Sequence, residues 1–398
     1  MEQKWRTKSG KPSSNWKPYL YDVAFQKFVV QKAFPNSRVF SHLMLVDKSV
    51  RTQSHRLNQK FQIQTKGDGI KEAVLIEPLT NEELETKILT SINIDDICND
   101  IFHSENHRLG EVESFSDLVN RLTRCSLGSE EALPQLTKSC GECEFQGEAE
   151  INDKKDGFVE CVSTITGLSE DVVVTSPLIF ELWNHRGKQS FIDNGLIRLC
   201  DLTEEDIKPE ELVIGDGLSQ RQRQWLQIEK TINADSSVWV DTLGLKNLME
   251  SWNFPLNFID FETTRVALPF HENQVPYEAI AFQFSHHVLH EDGRIEHANQ
   301  FLNTTQGEFP NFYFVRALKA ALEGNSGSVF CYSQHENGIL NAIKSQLRDE
   351  DVHDADELID FIETISKPTH DALEKWTSPR LMIDLLEVIK KYLYLPKT

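Results

Sequence analysis

Two acidic residues interrupt an apolar run near position 260. The stretch PLNFIDFETT, residues 255–264, reads as a buried strand until Asp260 and Glu262 appear on either side of Phe261. Alternate residues of a strand point to the same face, so we expect the two carboxylates to project together and Phe261 to enter the opposite layer. Like charges that close repel each other, and a bound cation is the usual remedy. Because oxygen ligands suit Mg²⁺ or Mn²⁺, the pattern indicates a divalent-metal site, with an ordinary solvated acidic pair as the alternative.

The segments after this strand have the order of a mixed α/β domain. Residues 277–289 alternate in a strand-like way, and an Asp-Gly pair soon afterwards predicts a hairpin turn. A helical segment follows, and then a short strand at 328–333 passes into a helix through a polar turn that holds His335 and Glu336. Asp384 stands in a late apolar run. This order is that of an RNase H-like fold, which we predict for residues 251–398.

The same region resembles a known family. The segment FIDFETT is similar to the first motif of the DnaQ-like (DEDD) 3′–5′ exonucleases. The wider stretch at 254–289, with its Pro-Tyr and Phe-Gln-x-Ser-x-His patterns, resembles domain-of-unknown-function family 2779. In that bacterial family a RecB-like PD-(D/E)xK nuclease half precedes a DnaQ-like half. The resemblance implies a nuclease that is truncated at both ends of the family pattern.

The resemblance also assigns candidate catalytic residues. Glu336 corresponds to the acid of the second DEDD motif, with His335 in place of the usual phenylalanine, and Asp384 falls in the family's Asp-Leu segment. Asp260, Glu262 and Glu336 are the expected ligands of Mg²⁺ or Mn²⁺. Asp384 is either the fourth carboxylate or an aspartate that supports the ligands, because the fourth acid usually lies on a later helix and the chain stops soon afterwards. Under the second interpretation, a partner chain or a second copy would complete the set.

A compact cysteine cluster precedes this region. Cys140 and Cys143 form a Cys-x-x-Cys pair and Cys161 follows, which fits three ligands of a zinc or [4Fe–4S] site. The resemblance supports this assignment, because the family has a similar Cys-x-x-Cys-x-Phe segment followed by Gly-Phe-x-Glu-Cys. The leading cysteine of the family pattern would lie before Met1. Three reduced thiols without metal are the alternative.

The N-terminal half resembles only part of a RecB-like nuclease. Residues 22–34 are similar to the family's conserved helix, and Gln26 corresponds to a glutamine near the active site of related nucleases. Lys8 matches the lysine of a Glu-x-Lys motif, but Arg6 replaces the acid. Since that acid is needed to hold metal, we expect this half to be inactive.

The chain therefore divides into four predicted segments. These are a partial RecB-like nuclease region at 1–125, a cysteine-bearing metal-site segment at 126–170, a helical connector at 171–250 and the RNase H-like domain at 251–398. Within the first segment, Thr80 followed by Glu83 is a capping-box pattern. It predicts a helix with Leu84, Ile88 and Ile92 on one face.

The charge and composition of the chain indicate which partners it can bind and in which cellular compartment it is expected. The chain of 398 residues has a net charge of -21, but residues 1–60 hold 12 Lys and Arg against 3 Asp and Glu. An acidic body repels nucleic acid, whereas a basic N-terminal arm attracts it. The sequence shows no apolar run long enough for a membrane span and no signal peptide. Seven cysteines without a secretion signal then indicate a reducing, cytoplasmic compartment.

Two functions fit these patterns. The first is a nuclease of DEDD 3′–5′ exonuclease type that acts on DNA or RNA and depends on Mg²⁺ or Mn²⁺. The second is a catalytically inactive nucleic-acid-binding or assembly subunit built on decayed nuclease folds, which the two truncated motif sets favour. Metal binding discriminates between them, because the enzyme needs two bound ions and the binding subunit needs none.

Overall fold

The computed structural model of the chain comprises two compact units. It describes residues 5–8, 10–67, 69–85, 87–108, 111–130, 134–147, 156–305 and 307–396. One unit contains residues 1–135 with 266–278, and the other contains residues 136–265 with 279–398. The four segments predicted from the sequence stay predictions.

The first unit combines short helices with two-stranded sheets. Its elements are α1 (Lys17–Ala33), β1 (His42–Val46), a 3₁₀ turn (Leu57–Lys60), β2 (Phe61–Thr65), β3 (Lys71–Leu75), α2 (Asn81–Glu85), β4 (Leu89–Asn93), α3 (Asp95–Phe102), β5 (Glu105–Arg108), β6 (Glu111–Ser114) and α4 (Phe115–Ser126). Strands β1 and β4, β2 and β3, and β5 and β6 pair antiparallel. Leu20 and Ala24 of α1 pack in one core with Ile97 and Ile101 of α3. Burial of these apolar side chains stabilises the unit.

The helix predicted from the capping box is shorter than expected. Thr80 N–H donates to Glu83 Oε2 at 2.7 Å, and Glu83 N–H donates to Thr80 Oγ1 at 3.2 Å, so the capping box forms. The helix nevertheless ends at Glu85, and the predicted extension to Ile92 was wrong, because Ile92 lies in strand β4. There it stands opposite Leu43 of β1 and packs on the core. Pairing with a distant strand outweighs the local helical pattern.

The second unit begins with a mainly helical region. Its elements are a 3₁₀ turn (Lys138–Glu142), α5 (Gly157–Thr166), α6 (Glu170–Thr175), a 3₁₀ turn (Ile179–Glu181), α7 (Lys188–Asp193), a 3₁₀ turn (Leu199–Asp201), α8 (Glu204–Ile207), α9 (Gln220–Ile232), β7 (Trp239–Val240) and α10 (Thr242–Glu250). Val162 of α5 and Ile228 of α9 are fully buried in its core. Asp241 caps α10 by accepting the Gly244 N–H at 3.0 Å.

A five-stranded mixed sheet organises the rest of the second unit. Its elements are β8 (Leu256–Thr264), β9 (Ile280–Leu289), β10 (Ile295–Leu302), α11 (Asn311–Leu322), β11 (Val329–Cys331), α12 (His335–Asp349), α13 (Ala355–Ile365), β12 (Ile383–Asp384), α14 (Leu385–Tyr392) and β13 (Leu393–Tyr394). The strand order is β10-β9-β8-β11-β12. Strands β9 and β8 are antiparallel, as are β10 and β9, whereas β11 runs parallel to β8 and β12 parallel to β11. The predicted α/β class is confirmed.

The parallel pairing brings the ends of two strands beside the acidic segment of β8. Phe258 of β8 stands beside Phe330 of β11, and Cys331 stands beside Asp384 of β12. The carboxyl ends of β11 and β12 therefore lie beside the middle of β8, close to Asp260, and α12 begins immediately beyond β11. Helices α11, α12 and α13 share one apolar core with Ile259 and Phe261 of β8. Of the helices that the structure describes, none has the length and apolar character needed to cross a membrane.

Candidate metal centre

Strand β8 presents the acidic pair at the centre of the sheet. Ile259 and Phe261 are buried in the core, whereas Asp260 and Glu262 are exposed on the other face. This alternation follows from the side-chain period of two along a strand, and it confirms the predicted common face of the two carboxylates. Phe261 packs edge-to-face on Phe314 of α11 with ring centroids 4.8 Å apart. A register shift of one residue would bury both carboxylates, so this packing holds them outward.

Glu336 enters the same edge from the first turn of α12. The helix begins at His335, whose Nε2 lies 3.1 Å from Thr263 Oγ1 and so shares a hydrogen bond with the end of β8. Glu336 follows directly and is only 3% exposed. Its Oε2 atom is buried and has no hydrogen-bond partner among the residues that the structure describes. A buried carboxylate oxygen without a donor is costly, and such an atom calls for a proton or a cation.

The pKa of Glu336 reflects its burial and the charges of two other carboxylates. Burial is the largest cause that raises the pKa of Glu336 to about 7, and repulsion from Asp260 and Asp384 acts in the same direction. Hydrogen bonds from the backbone N–H groups of Glu336 and Phe261 oppose the shift. Asp260 of β8 and Asp384 of β12 therefore both act on the carboxylate at the start of α12. Without a cation, part of the Glu336 population is protonated at neutral pH.

Asp384 holds the turn that carries Glu336. Its Oδ1 accepts the Ser333 N–H and the Leu386 N–H, each at 2.9 Å, and its Oδ2 accepts the Gln334 side-chain amide at 2.9 Å. Asp384 is thus the N-cap of α14, and its hydrogen bonds to Ser333 and Gln334 also hold the turn between β11 and α12. Ser333 in that turn has a φ of 77°, a left-handed conformation that costs a non-glycine residue energy. These contacts favour the interpretation of Asp384 as a supporting residue.

We expect Asp384→Ala to lower the free energy of unfolding by about 2–3 kcal/mol, because a helix cap and two further hydrogen bonds are lost. Asp384→Asn keeps an acceptor oxygen at the cap and is expected to cost less than half as much. Urea denaturation of the two variants and the parent measures the difference. Equal stability of Asp384→Ala and the parent would contradict the supporting role.

Two neighbours of this centre were not predicted from the sequence. Cys331 ends β11, and burial, followed by repulsion from Glu336 and Asp384, raises the pKa of its thiol to about 12. Lys367 acts on the same thiol in the opposite direction. The only sequence signal for Cys331 is its place in the strand that leads to Glu336. Lys367 has none, because it follows α13, far from the acidic motifs.

The carboxylates suit a divalent cation by their chemistry. Within the described ranges, no three Asp, Glu, His or Cys side chains converge closely enough to hold an ion as they stand. Asp260, Glu262 and Glu336 nevertheless offer the hard oxygen donors that Mg²⁺ and Mn²⁺ prefer. The unpartnered Oε2 of Glu336 is an acceptor that a cation would satisfy. The predicted ligand set therefore fits such an ion, and it stays a prediction.

The predicted cysteine ligands lie around the start of the second unit. Cys140 belongs to the 3₁₀ turn at 138–142, where the Thr137 N–H donates to its Sγ at 3.4 Å, and Cys143 follows that turn. Cys161 lies on α5. Burial raises the pKa of the Cys161 thiol, and repulsion from Cys140 and Cys143 adds to the shift. Among the described residues, which include these three cysteines, no group of three side chains is close enough to hold an ion as it stands. All three are free thiols.

Comparison with known proteins covers only the sheet-bearing region. No curated protein and no solved structure matches the chain. The family model described as a domain of unknown function, DUF2779, matches residues 257–398, which run from β8 to the end of the chain. Residues 257–398 therefore carry the sequence pattern of DUF2779, the family that the acidic strand and its neighbours predicted.

Proposed function

We propose that residues 251–398 form a divalent-metal-dependent nuclease of the DEDD 3′–5′ exonuclease type, acting on DNA or RNA. The observation that carries the proposal is Glu336, a buried carboxylate whose Oε2 lacks a donor and whose pKa is raised to about 7 next to Asp260. Perturbed carboxylates of this kind concentrate at functional sites. A bound cation would offset the cost of this arrangement.

The sheet topology supports an RNase H-like fold for this region. The elements follow one another along the chain in the predicted order, with the antiparallel strands β9 and β10 after β8 and a helix before β11. The sheet order β10-β9-β8-β11-β12, in which β11 is parallel to β8 and β12 parallel to β11, is compatible with that fold. Functional residues of open α/β sheets collect beyond the carboxyl ends of parallel strands. Asp260, Glu262, Glu336 and Asp384 all lie toward that edge.

The roles of the side chains follow from their positions. Asp260, Glu262 and Glu336 would hold the cation, and Asp384 keeps the α12 turn in place through Ser333 and Gln334. A bound divalent cation would polarise a phosphodiester oxygen and lower the pKa of a water molecule. His335 directly precedes Glu336 and is the candidate general base. Its hydrogen bond with Thr263 orients the ring.

The proposal is tested by incubating the purified chain with end-labelled single- and double-stranded DNA and RNA. Cleavage is expected with Mg²⁺ or Mn²⁺ and not with EDTA. Comparison of 5′- and 3′-labelled strands gives the polarity and separates exonuclease from endonuclease action. Absence of cleavage on every substrate with either ion would refute the nuclease.

One observation favours the second function, a catalytically inactive nucleic-acid-binding or assembly subunit. The Asp384 carboxylate already accepts hydrogen bonds from Ser333, Gln334 and Leu386. This leaves three carboxylates for metal binding, whereas the DEDD pattern needs four. A partner chain or a second copy would then have to complete an active site. Tight binding of nucleic acid without cleavage, by the chain alone, would support this alternative.

The cysteine cluster is proposed to hold zinc or a [4Fe–4S] cluster, because Cys140 and Cys143 have the Cys-x-x-Cys spacing of a ligand pair, and both act electrostatically on the free thiol of Cys161. Protein purified without oxygen is expected to contain about one zinc or about four iron atoms per chain. Cys161→Ser should lower that content several-fold, whereas Cys200→Ser, which removes an exposed thiol, should not. Elemental analysis measures both. A metal content that Cys161→Ser leaves unchanged would exclude the site.

A further inference from the structure

Three hydrogen bonds from two asparagine side chains of α12 hold the backbone of Lys367, an exposed residue. Its N–H donates to Asn337 Oδ1 at 2.6 Å, and its carbonyl oxygen accepts the side-chain amides of Asn337 at 3.2 Å and Asn341 at 3.0 Å. Two asparagines on successive turns of α12 therefore hold one backbone unit. Asn337 directly follows Glu336, so these bonds set the position of Lys367 relative to the carboxylate edge.

The backbone of Lys367 lies beside the first turn of α12, which carries Glu336, and its ammonium group has no partner in the described part of the protein. Its charge influences the Cys331 thiol, which also senses Glu336 and Asp384. With the residues that the structure describes, the side chain of Lys367 makes no ion pair and no hydrogen bond, and the residue is exposed. A lysine held beside acids usually pairs with one of them. Lys367 instead remains available to an anion from solution.

A lysine on the neighbouring face of α12 shows the contrast. Lys344 is 4% exposed, forms an ion pair with Glu363 and lies 3.6 Å from the centre of the Trp376 ring. The charge of Lys344 is therefore neutralised by Glu363 of α13, and its ammonium group packs on Trp376, which follows that helix. At Lys367, by contrast, the three hydrogen bonds hold the backbone and leave the charged end of the side chain exposed to solvent.

We infer that Lys367 binds a phosphate of the nucleic-acid backbone next to the carboxylate edge. The inference rests on the proposed function for the class of ligand, a phosphodiester strand. In a chain with a net charge of -21, a polyanion is repelled by most of the surface. A cation on an anchored backbone beside the reacting centre gives the strand a local contact that offsets this repulsion and sets its register.

The test measures binding of a short fluorescein-labelled single-stranded oligonucleotide to the full chain, with Ca²⁺ in place of Mg²⁺ to suppress cleavage. Lys367→Ala is expected to weaken binding about tenfold, the loss of one charge-assisted contact. It should also reduce the slope of log K against log salt concentration by about 0.7. Lys367→Arg should bind within about twofold of the parent. Lys246→Ala, which removes an exposed lysine on α10, is the matched control and should change nothing.

The cleavage assay separates this inference from the nuclease proposal. If the parent cleaves, Lys367→Ala should raise KM about tenfold and leave kcat nearly unchanged, since the contact positions the strand and does not act on the reacting bond. Binding that weakens in Lys367→Ala when nothing cleaves would refute the nuclease and keep the phosphate contact. Equal binding by parent and Lys367→Ala, equal weakening by Lys367→Ala and Lys367→Arg, or no binding by the parent would overturn the inference.

Discussion

Asp260→Ala is expected to abolish metal-dependent cleavage, lowering kcat/KM on the order of 1,000-fold or more, while the protein stays folded. Asp260 lies on the exposed face of β8, so its truncation removes a proposed metal ligand without opening the core. End-labelled substrate with Mn²⁺ gives the rate, and circular dichroism reports the fold. In EDTA the variant should unfold at a slightly higher temperature than the parent, because one source of repulsion on Glu336 is gone.

Glu291→Ala is the matched control for that experiment. Glu291 is exposed beyond the end of β9 in the same sheet, so the substitution removes the same charge away from the strand ends where the carboxylates meet. Its cleavage rate should equal that of the parent. A parental rate in Asp260→Ala would place the chemistry elsewhere in the chain, and a loss in both variants would show that net charge, and not metal ligation, governs activity.

Glu336→Gln is expected to stabilise the metal-free protein at alkaline pH. The pKa of Glu336 is raised from 4.5 to about 7, so the folded state binds more protons than the unfolded state between these values. The stability that protonated Glu336 provides is complete below about pH 4.5 and is lost as the pH rises through 7. The loss amounts to about 3 kcal/mol. Glutamine stays neutral, so the variant should gain up to this amount over the parent at pH 8 in EDTA.

Urea denaturation between pH 5 and pH 8.5 measures the effect. The difference between Glu336→Gln and the parent should grow with pH, and Mn²⁺ at pH 8 should stabilise the parent more than the variant, because a cation favours the ionised carboxylate. Glu291→Gln should show neither trend. If the stability of the parent and of Glu336→Gln ran parallel across this range, Glu336 would not be the buried, proton-binding acid that the structure indicates.

Local sequence determined the elements that short-range rules govern. The alternation around Asp260 and Glu262 predicted one exposed acidic face, because a strand has a side-chain period of two. The Asp-Gly pair predicted the β9–β10 hairpin for an equally local reason, the backbone preference of its turn. The resemblance to family 2779 likewise rested on residues that are contiguous in the chain, and the family match over 257–398 agrees with it.

Tertiary structure decided what depends on contacts between distant residues. Ile92 became part of a strand because β1 was available to pair with it. The burial of Glu336, the clamp formed by Asp384 and the anchoring of Lys367 each need segments between 30 and 76 residues apart to meet at one sheet edge. Burial and electrostatic coupling are properties of that meeting and not of any tripeptide. The acids could thus be named from the sequence, whereas their charge states and supporting contacts came only with the fold.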